Sequence, residues 1–285
     1  MSRRRAFAAL TAVPLALSGA ALAPTSAADT GPSTIVEIQG AGHVSPFDGE
    51  DVTDIEGVVT AVADHGFWFQ STRPDRDPRT SEGLFVYTGD APESSVGDAV
   101  SVDGTVAEFR PGGDDGEANL TTTQLTSPEV TVTGTGTVPR PVVLGRDRVA
   151  PQQTVDAEDP TSVEYEDADF RPRRDAIDFY ESLEGMHVGV RDPQVVGPTA
   201  SFGEIPGVPA GTKATRSGAG GVVYSGYDRP NSARVQVDDA LLDDGLPDAD
   251  VGDRLKGTVS GPLDYSFANF KLLATEAPEV RSGGL

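Results

Sequence analysis

The hydrophobic positions of this chain fall in short runs that predict β-strands. In "VTDIEGVVTAVADHGFWFQ", which begins at Val52, valine and isoleucine are closely spaced, Gly57 interrupts the run and a tight turn at Asp64–Gly66 divides it. Runs of β-branched and aromatic residues bounded by Gly and Asp are typical of strands joined by turns. The later runs "GLFVYTG", "VGDAVSVDGTVAEF" and "NLTTTQLTSPEVTV" predict the remaining strands of a first β-unit.

The same landmarks return in the second half of the chain. There "YESLEGMHVGV" resembles "VTDIEGVVTAV", and "GGVVYSGY", "VGDRLKGTVSGPLDYSF" and "NFKLLATEAPEV" follow in the order of their counterparts. Short five-stranded units of this kind fit the small Greek-key barrel called the OB-fold. The sequence therefore predicts an all-β protein with two tandem OB-fold-like barrels. These span residues 33–145 and 176–285, and an acidic linker at 146–175 joins them and leads into a short helix near Asp175–Tyr180.

The composition agrees with this class and indicates a secreted protein. The chain has 33 Gly and 22 Pro, as expected for many turns, and its lack of Cys excludes a disulfide framework. Residues 1–28 begin with a cluster of arginines, continue with an uncharged run and end in small residues. That order predicts a signal peptide cleaved near Ala28, and both the general and the twin-arginine export routes fit it. No later run of ~20 apolar residues predicts a membrane span.

Three consecutive aromatic residues, Phe67-Trp68-Phe69, lie in the predicted second strand and include the only tryptophan. Because successive side chains of a strand point to opposite faces, the three cannot all enter one core. We expect Phe67 and Phe69 to join Leu84 and Val86 in the core of the first barrel. The opposite face then carries Trp68, Gln70, Phe85 and Tyr87.

Two interpretations of that face remain open. In OB-folds the second and third strands commonly bind oligonucleotides, whose bases stack on aromatic side chains there. Nearby arginines would contact phosphates, namely Arg73, Arg76, Arg79 and Arg110. Such binding is expected to be weak, because the protein is strongly acidic and repels phosphates. Its formal charge is −23, and cleavage of the signal peptide, which contains three arginines, would make it −26. Alternatively, the face packs against the second barrel or another domain.

Two longer motifs carry a resemblance to a known family. They are "EIQGAGHVSP" near the N-terminus and "IDFYESLEGM" before the second unit. With the strand runs quoted above, they make the chain from about Ser33 to Leu285 resemble the N-terminal region of bacterial extracellular nucleases. Those proteins combine OB-like domains with a C-terminal endonuclease/exonuclease/phosphatase domain. The resemblance implies a non-catalytic module or a truncated nuclease, since the sequence stops at "EAPEVRSGGL".

Candidate catalytic residues are missing from the sequence. Metal-assisted phosphodiester cleavage needs carboxylates that hold a divalent cation and a His–Asp pair that activates water. The family's segments for this purpose, an Asn-Val-Glu-Asn-like strand, a Gly-Asp-x-Asn turn and a Ser-Asp-His segment, do not occur here. We expect His43, His65 and His187 to be turn or surface residues. We therefore predict no catalytic residue, metal ligand or cofactor on this chain, the divalent metal being implied only for the absent nuclease domain.

Two functions from different classes follow from these observations. The first is a secreted, nuclease-associated module that binds single-stranded nucleic acid weakly through the aromatic face and the arginines. The second is a structural or interaction module that docks a nuclease catalytic domain or another surface partner. The acidic charge favours the second function, because it opposes a polyanionic ligand.

Overall fold

The computed structural model describes residues 31–112, 116, 119–152, 154–157, 162–165, 168–224, 226 and 231–284. The predicted signal peptide lies outside these residues. The described residues form two sheets and two short helices, which confirms the predicted all-β class. Neither described helix has the length and apolar character that crossing a membrane requires.

The first sheet is a closed barrel. Its five strands are β1 (Asp51–Ala63), β2 (Gly66–Gln70), β3 (Gly83–Tyr87), β4 (Asp98–Phe109) and β5 (Thr122–Thr135). They close in the order β1-β2-β3-β5-β4, with β3 and β5 parallel and the other neighbours antiparallel. Helix α1 (Ile35–Gln39) is capped by the Thr34 hydroxyl, which accepts a hydrogen bond from the Glu37 N–H, and it adds Ile35 and Ile38 to the barrel core.

The second sheet has nine short or medium strands. They are β6 (Val142–Leu144), β7 (His187–Arg191), β8 (Gln194–Val195), β9 (Ile205–Val208), β10 (Val235–Asp238), β11 (Arg254–Leu255), β12 (Thr258–Ser266), β13 (Asn269–Leu273) and β14 (Val280–Arg281). Their order is β14-β11-β8-β9-β10-β13-β12-β7-β6. Strand β6 precedes the predicted boundary at residue 145 but pairs with β7.

The second sheet repeats the pairing pattern of the barrel, with its first strand divided. Strand β1 pairs with both β4 and β2, whereas here β7 pairs with β12 and β8 pairs with β9. The parallel pair β10–β13 corresponds to β3–β5. Between β7 and β8 stand Asp192, with a φ of 43°, and Pro193, which has no N–H to donate to a ladder. The described strands therefore form one closed barrel and one interrupted sheet rather than two closed barrels.

Each sheet has its own apolar core. Phe67, Phe69, Leu84 and Val86 are fully buried inside the barrel, as the period-two pattern predicted. The second core includes Leu263 and Leu272 of the sheet, together with Phe179 and Tyr180 of helix α2 (Ala176–Glu181). Helix α2 lies where a short helix was predicted, and its side chains connect the segment before β7 to the second sheet.

Candidate binding face and inter-sheet cavity

Trp68 faces away from the barrel core, but the second sheet covers it. Its side chain is only 5% exposed and packs in a small cluster with Ala61 of β1 and Leu273 of β13. Phe85 lies beside it, with ring centroids 4.6 Å apart. The alternation of side chains along β2 was predicted correctly. The prediction of an open aromatic platform at Trp68 was wrong, because Leu273, from the far end of the chain, covers the ring.

Gln70 and Gly83 are in direct contact with residues from the second half of the chain. The Gln70 side-chain oxygen accepts a hydrogen bond of 2.8 Å from the backbone N–H of His187, and Gln70 is buried. A Cβ on Gly83 would stand 2.2 Å from the backbone carbonyl carbon of Gly185, which itself has a φ of 68°. The two backbones therefore touch at a point where only glycine fits on both sides. Gln70 thus serves the contact between the sheets rather than a solvent-facing surface.

A cavity opens beside this contact, and we call it the inter-sheet cavity. It encloses about 590 Å³ and is lined by both sheets. Trp68 and Phe85 belong to its wall, while Tyr87 and Phe109 are half exposed and stand nearer to solvent. Tyr265 of β12 contributes a buried ring from the second sheet. Of the predicted face, Trp68, Phe85 and Tyr87 therefore border this cavity.

Two acidic residues of the second half also line the inter-sheet cavity. Glu184 is almost fully buried, and its Oε1 accepts a hydrogen bond of 2.9 Å from the Thr123 N–H. Burial, with the nearby charges of Glu181 and Glu108, raises the pKa of Glu184 well above its usual range. Burial also raises the pKa of Asp264 to about 6, so its carboxyl is ionised at neutral pH.

The predicted arginines do not gather around the aromatic residues. Arg73 pairs with Glu56 at 3.2 Å, Arg79 with Asp77 at 2.7 Å, and Arg110 with Glu164 at 2.7 Å. None of these three lines the inter-sheet cavity within the described part of the chain. Acidic partners therefore already neutralise three of the four charges that were expected to meet phosphates.

Arg76 lies in a separate cleft, which the acidic residues Asp77 and Glu82 also line. We call it the arginine cleft; it encloses about 590 Å³ and also contains Arg140 and Arg148. Arg148 donates hydrogen bonds to the carbonyl oxygen of Pro78 and to the hydroxyl of Ser182. Among the described residues, Arg148 has no acidic partner within ion-pair distance.

His43 is buried, so the expectation that it is a turn or surface residue is wrong. Its Nε2 lies 2.8 Å from Asp178 Oδ1 and its Nδ1 lies 3.1 Å from Glu181 Oε2. Burial alone lowers the pKa of His43, but the charge of Glu181 and the hydrogen bond to Asp178 outweigh burial and raise this pKa to about 9. The imidazole is therefore a cation held between two carboxylates. It joins the loop after α1 to α2, a structural rather than a catalytic arrangement.

The other histidines make single contacts to the backbone. His65 Nδ1 lies 2.9 Å from the carbonyl oxygen of Gly89, and His187 Nδ1 lies 2.8 Å from that of Pro139. Within the described ranges, no group of His, Cys, Asp and Glu residues is arranged to hold a metal ion.

A second buried cation lies inside the second sheet. Lys271 Nζ is 2.8 Å from Asp238 Oδ2 and 3.1 Å from Glu204 Oε1, and the Lys271 side chain is buried. Lys271 belongs to β13 and Asp238 to the neighbouring β10, while Glu204 directly precedes β9. The cluster therefore connects β13, β10 and the start of β9, which are neighbours in the second sheet.

A comparison with protein families gives a match to only part of the chain. Residues 143–282, just under half of the chain, match a family described as a domain of unknown function (DUF8508). The match begins within β6 and ends after β14, so it covers the second sheet and α2. Neither curated proteins nor solved structures give a match to this sequence. The chain is thus similar, over its second sheet, to a family whose description names no activity.

Proposed function

We propose that this protein is a secreted, non-catalytic interaction module that docks a catalytic domain of the extracellular nuclease type or a comparable surface partner. Two OB-fold-like units form its body. The closed barrel has the five-stranded form of that fold, and the second sheet repeats its pairing around a divided first strand.

The observation that carries this proposal is the burial of Trp68. An OB-fold that stacks bases would present the face of β2 and β3 to solvent. Here Leu273 of β13 covers Trp68, and the His187 backbone binds Gln70. That face is therefore used to join the two halves of the chain, which favours a scaffold over a nucleic-acid platform.

The charge of the protein and the position of its histidines agree with such a role. The formal charge of −23 disfavours a polyanion and suits a soluble extracellular spacer. His43 is enclosed by two carboxylates, and His65 and His187 contact backbone carbonyls. The largest uncovered apolar side chains are Phe202 and Phe267, which are 84% and 82% exposed and are candidates for contact with a partner.

The proposal is tested by mixing the secreted chain with the catalytic domain of a bacterial extracellular nuclease. We expect a complex that survives size-exclusion chromatography, and we expect Phe202→Ser and Phe267→Ser to weaken it without lowering the melting temperature. The secreted chain alone should leave plasmid DNA intact with Mg²⁺ or Ca²⁺ present. Failure to form a complex would contradict docking, and cleavage that EDTA abolishes would contradict a non-catalytic role.

The arginine cleft favours a second candidate function, weak binding of single-stranded nucleic acid. Arg76 and Arg140 are exposed there, and Arg148 stands without an acidic partner among the described residues. A labelled oligonucleotide should then bind with an affinity that falls steeply with salt. Arg76→Gln and Arg140→Gln should weaken binding, whereas Arg73→Gln, outside the cleft and paired with Glu56, should not. Equal affinity of all three variants would exclude this site.

A further inference from the structure

We propose that the inter-sheet cavity binds a small organic cation, a molecule that carries a primary or quaternary ammonium head. This inference does not rest on either function proposed above. It follows from three properties of the cavity: its size, its aromatic wall and the charges of the residues around it.

The size of the cavity fits a small molecule. Its volume of about 590 Å³ lies within the range of roughly 300–1,000 Å³ that is usual for ligand sites in proteins. Both sheets supply its wall, and Gly185, whose backbone meets Gly83, also lines it. A ligand bound there would touch residues from both halves of the chain.

The wall is rich in aromatic rings. Trp68, Phe85, Tyr87, Phe109 and Tyr265 all line the cavity. The Trp68 and Phe85 rings meet at an angle of 46° with their centroids 4.6 Å apart, so their faces are not stacked flat on each other. Faces of Trp, Tyr and Phe attract ammonium groups through the negative charge above the ring.

The charged groups of the cavity are acidic. Asp64, Glu184 and Asp264 belong to its lining together with His65, whereas no Lys or Arg does within the described part of the chain. Lys271 lies opposite Asp264 in the β12–β13 ladder, and its Nζ forms ion pairs with Glu204 and Asp238. Asp264 is ionised at neutral pH, so the cavity presents negative charge without a Lys or Arg in its wall.

Glu184 is one of four described residues with an unpartnered buried carboxyl oxygen, and among those four it alone lines the inter-sheet cavity. Asp178 and Glu181 enclose His43, and Glu204 and Asp238 enclose Lys271, so both clusters contain a cation. Glu184, by contrast, has one oxygen bonded to the Thr123 N–H and a buried Oε2 without a hydrogen-bond partner in the described structure. The raised pKa of Glu184 agrees with a buried carboxyl that has no cation beside it, and a bound ammonium group would supply that partner and favour the ionised carboxylate.

The test uses choline and putrescine as probes of the two ammonium types, with isothermal titration calorimetry and the fluorescence of Trp68 as readouts. Because Trp68 is the only tryptophan, its emission reports directly on the cavity wall. We expect saturable binding of at least one probe with a change in emission. We also expect binding at least about tenfold weaker for 3,3-dimethyl-1-butanol, the neutral analogue of choline.

Two variants separate the cavity from non-specific attraction to an acidic surface. Asp264→Asn and Tyr87→Leu should each weaken binding at least about fivefold, because one removes a wall charge and the other an aromatic face. Asp244→Asn removes an exposed charge outside the cavity and should leave binding unchanged. Absence of saturable binding by both probes would overturn the proposal. Equal affinity for the neutral analogue, or equal losses in Asp264→Asn and Asp244→Asn, would also overturn it.

Discussion

In the first sheet, β1 runs unbroken for 13 residues and pairs with both β2 and β4. In the second sheet, the same two pairings are divided between β7 and β8, on either side of Asp192 and Pro193. The barrel encloses an apolar core, whereas the second sheet adds the buried Lys271 cluster to its core. The first sheet thus closes into a barrel around one long strand, whereas in the second sheet that strand is divided and a buried ionic cluster adds to the backbone pairing of β9, β10 and β13.

This difference predicts that the stability of the second sheet depends on its buried ions more than the stability of the barrel depends on any polar group. Charged groups that are buried and paired become costly when one partner is removed, since the others stay buried without compensation. Changes at Lys271, His43, Gly83 and the turn between β12 and β13 are expected to alter the stability of the protein to decreasing degrees.

The largest effect is expected for Lys271→Met. It leaves Asp238 and Glu204 without their cation, so the free energy of unfolding should fall by roughly 3–5 kcal/mol, measured by urea denaturation. Lys256→Met is the matched control, because Lys256 forms a solvent-exposed pair with Glu279 and should cost less than about 1 kcal/mol. Similar losses for the two variants would mean that the cluster does not support the second sheet.

The pH dependence of stability tests the link that His43 makes between α1 and α2. The folded-state pKa of His43, about 9, exceeds its ordinary value of 6.5, so the folded protein binds the proton more tightly. The resulting stabilisation, on the order of 3 kcal/mol, is complete below about pH 6.5 and is lost as the pH rises through 9.

Denaturation midpoints measured between pH 6 and 10 check this expectation. His43→Gln should be less stable at pH 6 and should have a flatter profile than the natural protein. His65→Gln, which changes an exposed histidine, should keep the natural profile. A profile for His43→Gln as steep as that of the natural protein would assign the pH dependence to other groups.

A smaller loss is expected for Gly83→Ala, which tests the contact between the sheets. The added methyl group would overlap the Gly185 backbone and should cost about 1–3 kcal/mol as the two halves move apart. The Trp68 emission should shift to longer wavelength, because separation exposes its ring to water. Gly218→Ala, where no atom lies within 4 Å of the added carbon, should change neither quantity. An unshifted emission in Gly83→Ala would contradict a tight contact at this point.

The smallest effect is a gain in stability at the turn between β12 and β13. Phe267 and Ala268 have φ values of 49° and 59° in a two-residue turn, where Asn and Gly are preferred. The double change Phe267→Asn with Ala268→Gly should raise the free energy of unfolding by on the order of 1 kcal/mol, seen as a higher urea midpoint. A decrease would show that the exposed Phe267 ring contributes to the fold.

Local patterns were sufficient to predict the strands and the core of the barrel. Alternation alone separated Phe67 and Phe69 from Trp68, because side-chain direction in a strand depends only on position. The repeated landmarks also located β12 and β13, but "GGVVYSGY" was wrong as the counterpart of β3, because β10 (Val235–Asp238) takes that place beside β13. The break between β7 and β8 had a visible signal in Pro193, which disfavours a continuous ladder.

Contacts between distant parts of the chain could not be predicted in the same way. Trp68 is covered by Leu273, and nothing in the sequence near either residue indicates the other. For His43 a partial signal existed, since Asp178 and Glu181 are three positions apart and share one face of a short helix. That spacing suggests a cation between them but does not say which one.

Because Leu273 covers Trp68, this contact can form only late in the synthesis of the chain. Domains form from the N-terminus as the chain emerges, and the strands of the barrel are complete at Thr135, long before Leu273 has been made. A nascent chain therefore passes through a stage in which a finished barrel carries an uncovered apolar strip of Ala61, Trp68 and Phe85. Slow elongation at that stage would leave this strip free to associate with other chains, so the rate of translation affects how much protein folds correctly.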